Sequence, residues 1–326
     1  TKYRPIRGYN ENLKLEVSDM KANDILISRR NFIIALGAAW ATVSLSPAGL
    51  LAKEPVALKR IIPSSGELLP AIGLGTSRTF DTGDNQAARS NLAEVLQTFF
   101  ANGGALIDSS PMYGSSERVI GELLKTTKNK SSLFAATKVW TDGEQSGIRQ
   151  MEESSRLWGV NKFDLIQIHN LRDWKTHLNT LKGWKAQGKV RYIGITTSHG
   201  RSHAELEQIM RNESLDFVQF TYNIDNRSAE QRLLPLAADR GMATLINRPF
   251  QRGNLFDRVK GKPLPEWTAE FDCKSWGQYF LKFVVSHADV TSANPATSKA
   301  HHMVDNMAAG IGRLPDAEMR NRMIRH

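Results

Sequence analysis

The chain has 326 residues and a single cysteine, so no internal disulfide can stabilise the fold. Hydrophobic residues make up 40% and charged residues 23% of the sequence, which is typical of a globular protein and excludes a mainly disordered chain. The formal net charge of +10 is compatible with a nucleic-acid partner, an acidic ligand, a membrane surface or a targeting leader.

Residues 1–52 have the layout of an export leader. A polar stretch is followed by Arg29 and Arg30, by a weakly apolar run without charges over residues 32–51, and by small residues. This layout resembles a twin-arginine signal peptide, so we expect the twin-arginine machinery to export the protein to the periplasm. The alternative is an uncleaved membrane anchor, because the run approaches the about 20 residues of a membrane span. Its glycines, serines and proline make it a poor span.

The pattern of residues 53–326 predicts a single domain in which short apolar runs alternate with amphipathic stretches. A small hairpin is predicted first, over residues 61–69. Strands are predicted over residues 69–75, 105–109, 133–140, 163–169, 190–196, 217–222, 242–247 and 290–294, and helices over residues 85–102, 115–128, 145–158, 174–187, 202–211, 228–240, 274–287 and 298–309.

Eight strand–helix units with nearly continuous apolar strands predict an α/β fold with a parallel sheet covered by helices. Eight is the number of units that closes a (β/α)8 barrel of the TIM type. The alternative is an open, doubly wound sheet, which would need a glycine-rich phosphate loop after the first strand. Gly73 and Gly75 form only a fragment of such a loop, without a third glycine in place.

Four polar residues lie at or just after the ends of three consecutive predicted strands: Asp108, Tyr113, Lys138 and His169. The C-terminal ends of the strands are where such barrels carry their chemistry. A lysine in an apolar strand needs a partner, and Asp108 on the neighbouring strand supplies one. The buried ammonium is expected to lower the pKa of Tyr113 toward the pH range in which the protein works, so that the phenol can donate a proton to a substrate oxygen. His169 is expected to hydrogen-bond that oxygen. The set predicts reduction of a carbonyl or oxidation of an alcohol.

These residues belong to segments that resemble the aldo-keto reductase family, and the likeness extends from about residue 61 to the C-terminus. The resemblance implies the barrel fold, a nicotinamide cofactor extended across the barrel mouth, and a catalytic tetrad formed by the four residues, with Tyr113 as the general acid. The segments that carry the likeness are ALIDSSPMYGSSE at 105–117, ATKVW at 136–140, DLIQIH at 164–169 and GKVRYIG at 188–194.

The resemblance also implies cofactor contacts, several of them with unusual residues. Gln219 matches the position that binds the nicotinamide amide. Thr196 and Thr197 replace the Ser–Asn pair of the family, and Asn247, followed by Arg248, replaces the aromatic residue that stacks on the nicotinamide. NADP(H) is expected in preference to NAD(H). The remaining implied contacts are Arg252 with the pyrophosphate, Thr297, Ser298, Lys299 and His302 with the 2′-phosphate, and Asp305 and Asn306 with the adenine.

We therefore expect a monomeric oxidoreductase that reduces aldehydes or ketones with NADP(H), and we expect Trp140 to line the substrate mouth. One alternative is a barrel that binds the nucleotide without turnover, as a redox sensor or structural protein. Another is a lyase that uses Lys138 as a Schiff base, although this needs a free amine. No metal is expected, because His301 and His302 lack a third ligand at a zinc spacing. No nucleic-acid partner is expected either, and the basic stretch around Arg201 is predicted to be a solvated loop.

Overall fold

The computed structural model describes residues 57–326, and the signal predicted in residues 1–52 lies outside the described residues. An antiparallel hairpin comes first, and strands and helices then alternate. The strands are β1 Lys59–Ile61, β2 Leu68–Pro70, β3 Leu74–Gly75, β4 Leu106–Asp108, β5 Phe134–Val139, β6 Phe163–His169, β7 Val190–Thr196, β8 Phe217–Thr221, β9 Ala243–Asn247 and β10 Ser292–Ala293. The helices are α1 Gln86–Ala101, α2 Ser116–Leu124, α3 Glu144–Trp158, α4 Trp174–Ala186, α5 His203–Asn212, α6 Leu233–Asp239, α7 Asn254–Val259, α8 Trp276–Val285, α9 Ala300–Ala308 and α10 Ala317–Arg325.

Strands β3 to β10 form one eight-stranded sheet in which neighbouring strands run parallel and follow the order of the chain. The sheet closes through a parallel bridge between Ile72 and Ala293. The Ala293 N–H donates to Ala71 O, and the Gly73 N–H donates to Ala293 O, both at 2.9 Å. This closure confirms the (β/α)8 barrel and excludes the open sheet.

Side chains that point into the barrel change from apolar to polar along the strands. Phe134, Tyr192 and Phe217 pack together near the N-terminal ends, with ring centroids 5.5–6.0 Å apart. Because side chains alternate between the two faces of a strand, residues two and four positions further on share the inner face. Gln219 and Lys138 are such residues, and both are buried. An apolar floor thus lies beneath a polar layer.

The β1–β2 hairpin covers the N-terminal end of the barrel. Ile62 and Leu69 are buried in the same apolar cluster as the floor aromatics. The Tyr192 hydroxyl lies 2.7 Å from Glu67 Oε2, and Arg191 forms an ion pair with the same carboxylate. The hairpin therefore keeps water away from the floor of the barrel.

The predicted strands agree closely with the structure, but one predicted strand and one predicted helix are wrong, because each is divided into two elements. Strands β6 and β7 have the predicted bounds. The predicted strand 69–75 is divided, because Leu68–Pro70 pairs with β1 and only Leu74–Gly75 joins the barrel. The predicted helix 228–240 is divided into a 3₁₀ turn, Ser228–Glu230, and α6. Pro235 has no N–H to continue a helix from the preceding turn, and in α6 it lies in the first turn, where none is needed.

Two helices, α7 and α10, were not predicted. In α10 the Asp316 side chain accepts a hydrogen bond from the Met319 N–H at 2.8 Å, which is an ordinary N-cap. Met323 of the same helix is buried in the core, and Arg320 donates to the Tyr222 hydroxyl at 2.6 Å. Within residues 57–326, no helix combines the length and the apolar character that a membrane span requires.

The aromatic floor of the barrel should carry a large share of its stability. Phe134→Ala removes a ring that is 3% exposed and contacts two other rings. We expect the free energy of unfolding in urea to fall by about 3–5 kcal/mol. Val304→Ala, on an exposed helix face, should change it by less than about 0.5 kcal/mol. Equal losses for the two variants would contradict a tightly packed floor.

Candidate active site

A buried ion pair lies at the top of the polar layer. Lys138 on β5 is fully buried, and its Nζ lies 2.8 Å from Asp108 Oδ1, 2.8 Å from Asp108 Oδ2 and 2.8 Å from the carbonyl oxygen of Ser109. The parallel register of β4 and β5 brings the two side chains together, as the sequence predicts. Three oxygen atoms therefore surround the ammonium.

Two amide side chains complete the surroundings of Asp108. Gln167 Nε2 donates to Oδ1 and Gln219 Nε2 donates to Oδ2, each at 3.0 Å. The Thr196 hydroxyl in turn donates to Gln219 Oε1 at 3.0 Å. Gln167 was not predicted as a site residue, although its place two residues before His169 on the same strand puts it on the same face.

Tyr113 and His169 lie next to the ion pair. Their rings are perpendicular, with centroids 5.6 Å apart, and Lys138 Nζ lies 5.3 Å from the centroid of the Tyr113 ring. His169 Nδ1 is 2.9 Å from Ser110 Oγ, which also accepts a hydrogen bond from the Met112 N–H. The Ser110 hydroxyl can donate its proton to Nδ1, and in that arrangement the His169 proton sits on Nε2 and faces away from the serine.

Burial raises the pKa of Tyr113 above its ordinary value, and the Lys138 ammonium opposes the rise without reversing it. The predicted lowering of the Tyr113 pKa is therefore wrong, because desolvation of the tyrosinate outweighs its attraction to the lysine. Tyr113 is a protonated phenol at neutral pH, which is the form that can donate a proton.

The protonation states of the two neighbours are fixed by the same burial. Burial alone would lower the pKa of Lys138, but the charges and hydrogen bonds of Asp108 and Tyr113 together outweigh it, and the net shift is upward. Burial, together with the nearby Lys138 ammonium, lowers the pKa of His169 to about 3. The site thus contains a charged lysine and a neutral imidazole across the physiological pH range.

A cavity of about 940 Å³ opens above these residues at the C-terminal ends of the strands. Its size is that of a pocket for a large small-molecule ligand. The predicted site residues that line it are Asp108, Tyr113, His169, Thr196, Thr197, Gln219, Asn247, Arg248 and Arg252.

The cavity wall is strongly basic. Arg78, Arg201, Arg248 and Arg252 line it, and none of them forms an ion pair with a carboxylate of residues 57–326. Burial and the adjacent Arg252 lower the pKa of Arg248 to about 10, so it remains charged at neutral pH. The stretch around Arg201 is therefore not simply a solvated loop, as the sequence predicted: Arg201 and His199 face the cavity. An isolated basic residue in a loop carries no signal that would have shown this.

Asn247 is held by the protein itself. Its Oδ1 accepts from the Thr221 hydroxyl at 2.6 Å, and its Nδ2 donates to the Thr197 carbonyl at 2.8 Å. By contrast, Thr197 Oγ1 and both polar atoms of the Asn294 side chain are buried without a hydrogen-bond partner in the described chain. Both residues line the cavity, so these atoms are available to a ligand.

Several predicted contacts do not line the cavity. Trp140 lies outside it, with the Arg172 guanidinium 4.9 Å from its ring centroid. Asp305 accepts hydrogen bonds from Ser275 Oγ at 2.6 Å and Gln278 Nε2 at 2.8 Å, and so ties α9 to the start of α8. Ala296 is the last residue along the chain that lines the cavity. The predicted contacts that follow it in the sequence do not line the cavity, and these are Thr297, Ser298, Lys299, His302, Asp305 and Asn306.

No group of three or more histidine, cysteine, aspartate or glutamate residues within residues 57–326 is arranged to hold a metal ion. His301 and His302 contact each other, with ring centroids 4.3 Å apart.

Lys138 lacks the free amine that a Schiff base requires, since its ammonium is held by Asp108 and Ser109 and its pKa is raised.

The neutral state of His169 should make stability depend on pH. Its pKa is about 3 in the folded chain, against about 6.5 unfolded. Below pH 6.5 the unfolded chain binds a proton that the folded chain does not, so stability is lost as pH falls, by up to about 1.4 kcal/mol per pH unit. Urea unfolding between pH 7.5 and 4.5 should show wild type losing stability relative to His169→Gln over this range. The surface variant Val304→Ala, which removes no titratable group, should run parallel to wild type.

Comparisons with known proteins agree with this arrangement. The sequence profile of the Aldo/keto reductase family matches residues 71–322. Methylglyoxal reductase YeaE of Escherichia coli is 27% identical over 267 residues, which cover 80% of this chain and 93% of that protein. Two aldo/keto reductases from Klebsiella pneumoniae, solved with NADP and acetate and with NADPH, superpose with TM-scores of 0.67 and 0.69 at 23% and 21% identity. The superpositions cover 80% and 83% of this chain and 92% and 95% of theirs. The chain belongs to the aldo/keto reductase family.

Proposed function

We propose that the protein reduces aldehyde or ketone carbonyls to alcohols with NADP(H), and that Tyr113 is the general acid. The observation that carries the proposal is that Tyr113, His169 and Asp108 line one basic cavity, with Lys138 buried behind them and paired with Asp108. A protonated phenol, a neutral imidazole and a buried cation suit an oxygen that becomes negative during reaction.

The residues present fit a dinucleotide. The cavity is large enough, four arginines without carboxylate partners face it, and the orphaned atoms of Thr197 and Asn294 offer hydrogen bonds. Arg248 and Arg252 would hold the anionic phosphates. The Klebsiella structures were solved with NADP and NADPH, which supports NADP(H) over NAD(H).

The chain's own residues would act on the substrate oxygen. The bound nicotinamide supplies the hydride. Tyr113 donates its proton to the carbonyl oxygen, and Lys138 stabilises the tyrosinate that remains. His169 Nε2–H donates a hydrogen bond to the same oxygen. Because the pKa of His169 is low, the imidazole is neutral at neutral pH and has no second proton to release there. The apolar floor keeps water from the reacting atoms.

The mouth of the cavity is partly apolar. Met112 and Phe256 line it and remain 45% and 38% exposed, which is unusual for large apolar side chains of residues 57–326. The name of the Escherichia coli relative makes methylglyoxal the first substrate to test. A panel of aldehydes, ketones and quinones should follow.

One observation favours a second candidate, a nucleotide-binding protein without turnover. Asn247 stands where an aromatic residue would stack on the nicotinamide, and both ends of its amide are engaged with Thr221 and Thr197. Such a protein would bind NADPH and would be indifferent to the loss of the Tyr113 hydroxyl.

Tyr113→Phe separates the two candidates. We expect it to lower kcat for NADPH-dependent methylglyoxal reduction by at least about 100-fold, because the proton donor is lost. The Kd for NADPH, measured by quenching of tryptophan fluorescence, should change by less than about threefold, since the ring remains. Turnover that survives the substitution would contradict the role of Tyr113, and an absence of NADPH binding by wild type would refute both candidates.

We further propose that residues 1–52 direct export through the twin-arginine machinery, supported by Arg29 and Arg30 before the weakly apolar run. The change Arg29→Lys with Arg30→Lys keeps the charge but removes the guanidinium pair. We expect it to abolish recovery of the full chain in the periplasmic fraction of a bacterium that has this machinery. Arg4→Lys with Arg7→Lys is the matched control and should be exported normally. Equal export of both variants would point to another route.

A further inference from the structure

We propose that Gln167 is a positioning residue that sets the acidity of Tyr113 through Asp108. The inference rests on the proposed function, because it concerns the proton donor of that reaction, and it assigns a role to a residue outside the tetrad and the cofactor contacts. Gln167 is fully buried on β6, in register with Lys138 on β5 and Gly194 on β7. It does not line the cavity.

The Asp108 carboxylate receives hydrogen bonds from three side chains. Lys138 Nζ lies 2.8 Å from each oxygen, while Gln167 Nε2 lies 3.0 Å from Oδ1 and Gln219 Nε2 lies 3.0 Å from Oδ2. The two amides therefore bind opposite oxygens of one carboxylate. They fix its plane so that both oxygens face the ammonium, which the ion pair alone would not ensure.

The space for Gln167 comes from Gly194 on the next strand. A Cβ atom at residue 194 would lie 3.2 Å from Gln167 Cγ and 2.8 Å from the carbonyl oxygen of Phe217. A glycine inside a strand weakens the strand and typically marks a close approach of other atoms. Here it allows an amide side chain to cross the inner face of the barrel and reach Asp108.

The link from Gln167 to Tyr113 is electrostatic. Lys138 is held by Asp108 and Ser109, and it lies beside Tyr113, where its charge and, to a smaller extent, a hydrogen bond lower the pKa of the phenol. The charge of the carboxylate opposes the field of the lysine. An amide that donates to the carboxylate withdraws part of this charge, which leaves more positive potential at the phenol. Removal of the donor should therefore raise the pKa of Tyr113 and make it a weaker acid.

The other titratable groups around Tyr113 belong to different elements. His169, at the end of β6, packs perpendicular to the Tyr113 ring, and its imidazole is neutral above about pH 3. Arg248, after β9, lowers the pKa of Tyr113. Glu117, on α2 behind β5, accepts hydrogen bonds from Thr137 and two further side chains. None of them bonds to the glutamine, whose recorded partner in residues 57–326 is the carboxylate.

Gln167→Met tests the proposal, because methionine keeps the length and volume of the side chain and removes the donor. Tyr113 is replaced by difluorotyrosine in wild type and in Gln167→Met, because the phenol of difluorotyrosine titrates at a lower pH than that of tyrosine. The ¹⁹F signal of this residue is then followed against pH. We expect Gln167→Met to move the midpoint upward by roughly half to one pH unit. In chains with ordinary Tyr113, kcat for methylglyoxal reduction should fall about three- to tenfold while KM stays within about twofold.

Thr244→Val is the matched control. It removes two hydrogen bonds away from the cavity, because Thr244 Oγ1 donates to the Asp289 carbonyl oxygen at 2.6 Å and accepts from the Thr291 N–H at 3.0 Å. It should lower the melting temperature but leave the ¹⁹F midpoint and kcat unchanged. If Gln167→Met does not fold, Gln167→Asn gives the same test, because the shorter side chain draws its amide out of reach. An unchanged midpoint overturns the proposal. A lack of turnover by the parent protein contradicts the proposed function, and the midpoint still decides the role of Gln167.

Discussion

The candidate site depends on the buried ammonium of Lys138. A buried charge is costly unless an opposite charge or hydrogen bonds compensate it, and Lys138 has both, from Asp108 and the Ser109 carbonyl. The register of β4 against β5 fixes the pair, and the closed sheet fixes the register. The aromatic floor below excludes water and so strengthens the field of the pair at the cavity above.

That field lowers the pKa of both neighbours. At Tyr113 it limits a rise in pKa that burial causes, and at His169 it adds to a fall in pKa that burial causes. Both residues are consequently uncharged at neutral pH, although each lies close to a full positive charge. In the proposed reaction a proton would leave the phenol without a competing proton on the imidazole, and the resulting negative charge would face the lysine. This division of roles follows from one cation and its carboxylate partner.

The sequence predicted what depends on apolar periodicity and on residue type at strand ends. Strands β6 and β7 have the predicted bounds because their runs are apolar, and the four candidate residues were visible because each lies at, next to or shortly after the end of a strand. Side-chain partners that are distant in sequence could not be predicted. Gln167 is separated from Asp108 by 59 residues, so nothing in the sequence distinguishes its amide from an ordinary buried glutamine. The direction of the Tyr113 pKa shift also depended on the depth of burial, which only the packed structure contains.

The distribution of charge argues that the cavity is built for an anion. Residues 1–52 account for +3 of the net charge, and +7 remains on the rest of the chain. Most arginines elsewhere on the barrel pair with nearby carboxylates, as Arg172 does with Asp142 and Arg313 with Asp272. The four cavity arginines have no such partner within residues 57–326, and they lie close enough together for Arg78, Arg201 and Arg252 to lower the pKa of Arg248. Arg78, Arg248 and Arg252 also adopt positive φ values of 68°, 53° and 61°, which cost free energy at residues other than glycine. Repulsion and backbone strain concentrated on one wall would be offset by a bound polyanion, which supports the proposal that these loops hold the phosphates of a nucleotide.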